Sequence, residues 1–294
     1  MPLYWQRLSD ALSALAIAPQ HHPNLLAEAI AEQAACALAG HRAFLLIITR
    51  DRVLPRNLKS EPIQGWTPIH NYATGTTPMH QARIQEWMRT RVPLNDVPSS
   101  VAIARSAGLF RVLLREDLIE ARAWDQTPSG EMLEMLGSGD RMIGALPCSE
   151  TVEIVIGVDR AIGQPVFNHD DQLALARFME RCGPYLVRVL MSHGLLSHQA
   201  PLTPRERECY ELLLDSLTER EIAEVMGLTP RSAHQYVSRI YQKLGLNSRA
   251  QLMSEWLIAG QIFEDMLPFP LHPRLAGARG LRCAEMATST AAPV

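Results

Sequence analysis

Hydrophobic and polar residues follow two different periods in the N-terminal part of this chain. Residues 24–39 carry apolar side chains at helical spacing, whereas residues 43–49, AFLLIIT, form a short apolar run of strand-forming residues. Three further runs, at 110–115, 140–146 and 151–160, read as strands, and only a short turn separates the last two. The pattern predicts an α/β (α+β) N-terminal domain in which helices flank an antiparallel sheet.

Turn residues and caps fill in the segments between these elements. Residues 55–80 are rich in Pro, Gly and Thr and are interpreted as mainly loop, followed by a helix near 79–91. Asn168 can cap a later helix, with two aspartates in its first turn, where the helix dipole favours carboxylates. Pro184 is expected to kink that helix. We interpret the sequence NHDD as this cap in preference to a metal site, so no metal ligand is predicted.

The N-terminal segment offers two interpretations. Its run ALSALAIAP resembles the apolar core of a signal peptide with a small-residue end. Asp10 stands directly before the run, however, and no basic cluster precedes it. Since Tyr4, Leu8, Leu12 and Leu15 recur at helical spacing, we favour an amphipathic helix in a folded cytoplasmic protein.

Four helix starts with capping residues follow one another in the C-terminal part. The caps are Thr203, Thr218, Thr229 and Ser248, and all but the third have Glu or Gln three residues later. Proline follows the first and third caps, at the position where a helix has no use for an N–H. Gly227 permits a sharp turn between the second and third helices. The pattern predicts an all-α, four-helix domain that contains a helix-turn-helix.

Changes in composition set the expected domain boundaries. A long helical pattern gives way to SHQAPLTP, so residues 1–195 are assigned to a sensory or regulatory domain and 196–262 to the helix-turn-helix domain. Residues 268–294 are rich in Pro, Gly, Ala, Ser and Thr and have no periodic apolar face. We therefore predict a disordered tail there.

Composition excludes several classes of protein. The chain has 294 residues, of which 47% are hydrophobic and 20% charged, and a net charge of −3, so any nucleic-acid footprint must be local. Five scattered cysteines without a C-x-x-C pair are typical of a reducing compartment. No apolar run is long enough to span a membrane, and no catalytic or nucleotide-binding motif is present. We expect no enzymatic activity, catalytic residue or cofactor, and no membrane partner.

The third C-terminal helix has an unusual polar face. Its outward positions are Arg231, His234, Gln235, Ser238, Arg239 and Gln242, with no acid among them. The helices before it carry several glutamates, so charge is segregated within a domain that is not basic overall. Side chains of this kind donate hydrogen bonds to phosphates and base edges, and a carboxylate there would repel DNA. The pattern favours a helix that binds double-stranded DNA.

About 57 residues of this region resemble the LuxR-type helix-turn-helix domain. The family's run of Leu-Thr-x-Arg-Glu, Glu-Ile-Ala, a turn glycine between hydrophobic residues, Ile-x-x-Lys-Leu-Gly and Ser-Arg appears in order. In this chain the run falls at Leu202–Glu206, Glu221–Ala223, Met226–Leu228, Ile240–Gly245 and Ser248–Arg249. The resemblance implies a third helix that enters the major groove and a fourth helix that contacts the partner in a homodimer.

The resemblance also implies roles for individual residues. The base-facing candidates are His234, Gln235 and Ser238. The candidates on the phosphate side are Thr203, Arg205, Thr229, Arg231, Ser232, Arg239 and Lys243. The fourth helix offers an apolar surface larger than so small a domain needs, and its dimer-contact candidates are Leu252, Met253, Trp256 and Leu257.

Two residues depart from the family pattern. His234 stands where the family usually has lysine, and Ser216 stands where it usually has glycine before the second helix. Because the missing lysine removes one strong contact with DNA, we expect weaker non-specific binding and a distinct sequence preference.

The N-terminal domain has a weaker resemblance. The strand TVEIVIGVDR, the turn with QPVFNHDD and the closing helix resemble GAF-like sensor domains of bacterial regulators, and autoinducer-binding domains of quorum-sensing regulators share a similar layering. The aromatic residues Trp66, Tyr72, Trp87 and Trp124 are candidates for the lining of a small-molecule pocket, with structural packing as the alternative. A third possibility is a domain that binds a partner protein. The sequence therefore predicts a dimeric, sequence-specific transcriptional regulator whose signal it does not identify.

Overall fold

The computed structural model describes most of the chain, namely residues 3–19, 22–50, 64–80, 82–83, 86, 98–118, 127–196 and 201–265. The tail predicted to be disordered, 268–294, lies outside the described residues, as does most of the helix predicted near 79–91. No helix in the described part is long and apolar enough to cross a membrane.

The N-terminal part is built on one antiparallel sheet, as the sequence predicts, but the sheet has five strands where the sequence indicated four. The strands are β1 (Arg42–Thr49), β2 (Thr67–Thr74), β3 (Arg111–Leu113), β4 (Ser138–Ser149) and β5 (Val152–Ala161). Their order across the sheet is β2-β1-β5-β4-β3. Strand β2 falls within the region interpreted as loop. Its sequence, TPIHNYAT, mixes strand-forming Thr, Ile and Tyr with Pro68 and Asn71, which favour turns, and pairing with β1 decides between the two.

Helices surround the sheet. They are α1 (Leu3–Ala16), α2 (Pro23–Ala37), α3 (Pro98–Arg105), α4 (Arg115–Leu118), α5 (Pro128–Met135), α6 (His169–Arg181) and α7 (Gly183–Ser192). The chain leaves α6 at Cys182 and starts α7 at once, with Pro184 in the first turn of α7. The kink expected at Pro184 is therefore a break between two helices, because proline is favoured where a helix begins and its N–H is not needed.

The two faces of the sheet bury different sets of residues. Alternate residues of β1 and β5, such as Leu45, Ile47 and Ile156, face α1, α2, α6 and α7 in the main core. The opposite face carries a smaller apolar cluster that includes Ile48, Val155 and Trp66. Alternation of this kind follows from the two-residue period of a strand.

Charged residues are also buried on that second face, which the sequence pattern did not reveal. Arg111 and Glu153 are completely buried and form an ion pair of 2.8 Å between Nη2 and Oε2. Asp159 accepts hydrogen bonds from Arg42 at 2.6 Å and from Arg141 at 2.7 Å. Burial alone would raise the pKa of Asp159, but the two guanidinium groups hold it below its ordinary value.

Five helices form the C-terminal part: α8 (Pro204–Leu214), α9 (Glu219–Met226), α10 (Pro230–Leu244), α11 (Arg249–Leu257) and α12 (Ala259–Asp265). The last of these packs against α7 of the N-terminal part. Phe263 of α12 lies on Gly183, where a Cβ atom would come within 2.1 Å of the ring. The two parts of the chain thus share one continuous apolar core.

The buried ion pair on the second face gives a test of this arrangement. Replacing Glu153 with Leu leaves the Arg111 guanidinium buried without its carboxylate, so we expect the free energy of unfolding to fall by about 3–5 kcal/mol. Urea denaturation measures this change. Glu224→Gln is the matched control, because Glu224 pairs with Arg220 at the surface and its loss should be barely measurable. Equal effects of the two substitutions would contradict the buried pairing.

Candidate nucleic-acid interface

Helix α9 begins and ends with the signals predicted from the sequence. The Thr218 hydroxyl accepts a hydrogen bond from the Glu221 amide at 3.3 Å, and the Glu221 carboxylate accepts one from the Thr218 amide at 2.7 Å. Gly227 ends the helix with φ of 64°, in the left-handed region that favours glycine. The amide of Leu228 then donates to the Ala223 carbonyl at 2.8 Å, which turns the chain toward the next helix.

Helix α10 starts with a cap that contains no carboxylate. The Thr229 hydroxyl accepts from the Ser232 amide at 3.2 Å and lies 2.9 Å from the Ser232 hydroxyl. Pro230 occupies the first helical position. The amides at this end therefore meet solvent without a nearby acid on the same helix, and a helix N-terminus of this kind attracts phosphate.

The inner faces of α9 and α10 pack together and fix the angle between the helices. Ile222 and Ala223 of α9 and Ala233, Val237 and Ile240 of α10 are almost completely buried. Burial of each large side chain contributes about 1.5–3 kcal/mol relative to exposure. This packing leaves the opposite face of α10 outside.

The outer face of α10 carries the residues that the sequence assigned to DNA. Arg231, His234, Gln235, Ser238 and Arg239 are all exposed and lie along one side of the helix, and Ser232 is partly buried at its start. An exposed row of donors on one helix can enter the major groove and reach base edges.

His234 has a neighbour that sequence reasoning missed. Its Nδ1 lies 3.0 Å from Oε2 of Glu219, at the start of α9, although 67% of the histidine side chain is exposed. In the neutral imidazole a donating Nδ1 leaves Nε2 as an acceptor that points away from Glu219. The pair could not be found from spacing, since the two residues lie fifteen positions apart on different helices.

Three phosphate-side candidates are placed around the start of α8 and the end of α10. Thr203 caps α8 in a reciprocal box with Glu206. Arg205 is exposed and pairs with Glu208 at 2.7 Å. The Lys243 ammonium group donates to Glu206 at 2.7 Å and to the carbonyl of Pro201 at 3.0 Å. Lys243 therefore joins α10 to α8, and a phosphate contact would require it to exchange those bonds.

The conformation of Ser216 shows why the family usually has glycine at this position. Its φ is 65°, in the left-handed region, where a side chain costs about 1–2 kcal/mol relative to glycine. The turn between α8 and α9 requires this conformation, so the usual glycine is the less strained choice.

The four aromatic candidates for a ligand pocket do not come together. Trp66 belongs to the cluster on the second face of the sheet, whereas Tyr72 packs against the main core on the other face. Trp87 and Trp124 lie outside the described residues. Residues six positions apart would share a face of a regular strand, but the register of β2 against β1 shifts between His70 and Pro68, and this bulge puts Trp66 and Tyr72 on opposite sides.

An open cleft of about 470 Å³ lies elsewhere, at the N-terminus of α6. It is lined by Leu114, Glu116, Phe167, Asn168, His169 and Gln172. Here Asn168 caps α6 through the amides of Asp170 and Asp171, as the sequence predicts, and Asp171 is paired with Arg160 at 2.8 Å. Among the residues that the structure covers, no group of histidines, cysteines and acids is arranged to hold a metal ion.

The dimer-contact candidates on α11 divide into two groups. Leu252 and Trp256 are buried inside this chain, and Trp256 packs edge-on against Tyr210 with ring centroids 6.1 Å apart. Leu257 is 72% exposed, and Met253 is partly buried. Half of this apolar face thus belongs to the core of the chain itself, and the dimer contact stays a prediction.

The C-terminal part of the chain is similar to known proteins. Residues 200–255 match the family of bacterial regulatory proteins known as the luxR family, or GerE. The spore germination protein GerE of Bacillus subtilis is 38% identical over 61 residues, which make up 21% of this chain and 82% of that protein. The chain therefore belongs to the LuxR family, and its C-terminal part is the family's helix-turn-helix region.

Other relatives share only this region. A probable HTH-type transcriptional regulator, GfsR of Streptomyces halstedii, is 45% identical over 64 residues, or 22% of this chain and 26% of that protein. The probable transcriptional regulator ycf29 of Guillardia theta is 42% identical over 53 residues, or 18% and 26%. The chain thus spans about a quarter of the length of these two relatives.

Among solved structures, "SdiA in complex with octanoyl-rac-glycerol" aligns with 88% of this chain and 96% of its own, at 14% identity and a TM-score of 0.37. A score this low does not establish a shared fold. The GAF-like resemblance of the N-terminal part is not confirmed by any of these similarities.

The strained turn before α9 generates a prediction about stability. We expect Ser216→Gly to raise the free energy of unfolding by about 1 kcal/mol, because glycine adopts a positive φ without steric cost. Urea denaturation of the full chain measures the change. Ser254→Gly, in the exposed interior of α11, should instead lower it by about 0.5 kcal/mol. A loss of stability at both positions would show that the turn does not have this conformation.

Proposed function

We propose that this protein is a dimeric transcriptional regulator that reads double-stranded DNA with α10 and is controlled by its N-terminal domain. The observation that carries the proposal is the exposed, acid-free face of α10, held outward by the packing of its other face on α9. In this proposal the protein acts on bacterial DNA and therefore works in the cytoplasm.

In this proposal the residues of α10 have separate tasks. Gln235, near the start of the helix, makes a bidentate contact with a base, and His234 and Ser238 lie beside it. Arg231 and Arg239 bind phosphates on either side of the groove and set the register of the helix. Glu219 fixes the orientation of the His234 ring and so affects which base the histidine contacts.

The N-terminal domain is proposed to set the position of the DNA-binding helices by direct contact. Arg188 of α7 donates to the backbone carbonyl of Trp256 at 3.3 Å. The Arg188 guanidinium also lies 5.6 Å from the centre of the Trp256 ring. Together with the packing of α12 on α7, this contact ties the helix-turn-helix to the sheet domain. A change in the sheet domain that moves α7 would therefore move α10.

The role of Gln235 is tested by selection from random duplex DNA with the full chain. We expect wild-type protein to enrich a palindromic sequence and Gln235→Ala to relax it at one position of each half-site. The loss of discrimination there should be about 1–3 kcal/mol. Gln261→Ala, at an exposed position of α12, should leave the sequence unchanged. No enrichment by folded wild-type protein at low salt would refute the proposed function.

The dimer is tested with a duplex that carries two half-sites about one helical turn apart. We expect two wild-type chains to bind cooperatively and Leu257→Glu to bind each half-site independently, because a charge in an apolar interface opposes association. Native mass spectrometry counts the chains on each duplex. Ile162→Glu, at an exposed apolar residue beyond the end of β5, is the control and should keep wild-type cooperativity. Cooperative binding by Leu257→Glu would place the dimer contact elsewhere.

A further inference from the structure

A chain of hydrogen bonds crosses the junction between the sheet domain and α8. Arg207 of α8 lies 2.7 Å from Nδ1 of His193, at the end of α7, and Nε2 of that histidine lies 2.9 Å from the Tyr72 hydroxyl. The Tyr72 hydroxyl donates to Asn24 at 2.9 Å, and the Asn24 amide donates to Glu211 at 2.8 Å. The chain starts and ends on α8, one helical turn apart, and passes through β2 and α2 in between.

The direction of these bonds specifies the form of His193. Arg207 has only donors, so Nδ1 of His193 must accept. Since the Tyr72 proton goes to Asn24, Nε2 of His193 must donate to the Tyr72 oxygen. The imidazole is therefore neutral, with its one proton on Nε2, and a second proton on Nδ1 would point at the guanidinium group.

A second histidine shares the same guanidinium. Nη1 of Arg207 lies 3.0 Å from Nε2 of His70, and the rings of His70 and His193 have centroids only 3.9 Å apart. Nε of Arg207 is buried and has no hydrogen-bond partner within the described part of the chain. Three groups that can all be positive thus meet at one point, and only one of them is charged in this arrangement.

We propose that His70 and His193 form a proton-binding site that loosens the helix-turn-helix domain from the sheet domain when the surroundings become acidic. A proton on either ring removes an acceptor of Arg207 and places a second cation against it. The consequence for gene regulation rests on the proposed function, but the structural event does not.

The environment of the two rings supports this direction. Burial and then Arg207 lower the pKa of His70 to about 3. Burial, His70 and Arg207 hold the pKa of His193 well below its ordinary value of 6.5. The docked form is therefore fully retained above about pH 6.5 and is lost progressively as the pH falls toward 3.

Other titratable groups at the junction act in the opposite sense or at lower pH. Burial raises the pKa of Glu211, so docking favours its protonated form. Glu28 acts on Tyr72 from α2 through its charge. His22, before α2, faces Asp215 at the end of α8, with 4.0 Å between its Nε2 and Oδ1 of the aspartate. A test must therefore remove His70 and His193 and leave these groups in place.

Hydrogen exchange of the full chain without DNA measures the opening of the junction, once the intrinsic effect of pH on exchange is corrected. We expect the opening constant at the junction amides of α7 and α8 to rise about fivefold between pH 6.5 and 5.5 for one bound proton. The double variant His70→Gln, His193→Gln should show no rise. His169→Gln, which changes a histidine at the start of α6, should keep the wild-type rise.

Three results would overturn the proposal: no rise in wild-type protein, an equal rise in the double variant, or an equal rise at the amides of α10. If the double variant does not fold, histidine resonances of wild-type protein decide the question. Ordinary titration of His70 and His193 near pH 6.5, with the junction amides still protected, would refute the site. Because no DNA is present, failure of the DNA-binding proposal would not affect this result.

Discussion

The structure depends on the packing of one short helix, α7, from both sides. Leu186, Val187 and Leu190 bury one side of α7 in the core beneath the sheet. Gly183 accepts the ring of Phe263 from α12, where any larger residue would clash. Because interiors are packed as densely as crystals, a helix shared in this way transmits displacement from one domain to the other. The sheet domain and the helix-turn-helix are therefore mechanically connected without a long linker between their cores.

Charged residues are placed differently in the two domains. The sheet domain encloses charged pairs such as Arg111–Glu153, each of which must be fully compensated because water cannot reach it. On α10, by contrast, Arg231 and Arg239 are exposed to water, so their donors are available to a partner. No acid lies among the outward residues of α10, whereas Glu206 on α8 and Glu221 on α9 cap their own helices.

The contact between the domains combines two kinds of interaction with different sensitivities. Phe263 and Trp256 contribute apolar packing, which changes little with pH. The chain of hydrogen bonds through Arg207 and His193 is neutral at every position but its ends. Its geometry requires that His193 carry a single proton, on Nε2. A junction of this composition can keep the two domains in the same average position while the free energy of docking changes with pH.

The sequence by itself determined the first four helices of the C-terminal domain, because the information there is local, whereas the fifth helix, α12, was not predicted. A threonine three residues before a glutamate, proline at a first helical position and glycine after a last one specify helix ends through contacts within a single turn. The outward face of α10 followed from the same periodicity. The antiparallel strands β1, β4 and β5 were also evident from their apolar runs, whereas β2 was not, because its mixed composition leaves the choice to its pairing with β1.

Only the tertiary structure decided which distant residues meet. Glu219 and His234, Arg111 and Glu153, and Arg207 and His193 come from separate elements, and no spacing along the chain identifies them. It also separated Trp66 from Tyr72 and turned Leu252 inward while Leu257 stayed exposed. The physical reason is that caps and periodicity are set by bonds within a few residues, whereas partners across a core are chosen by how whole elements pack.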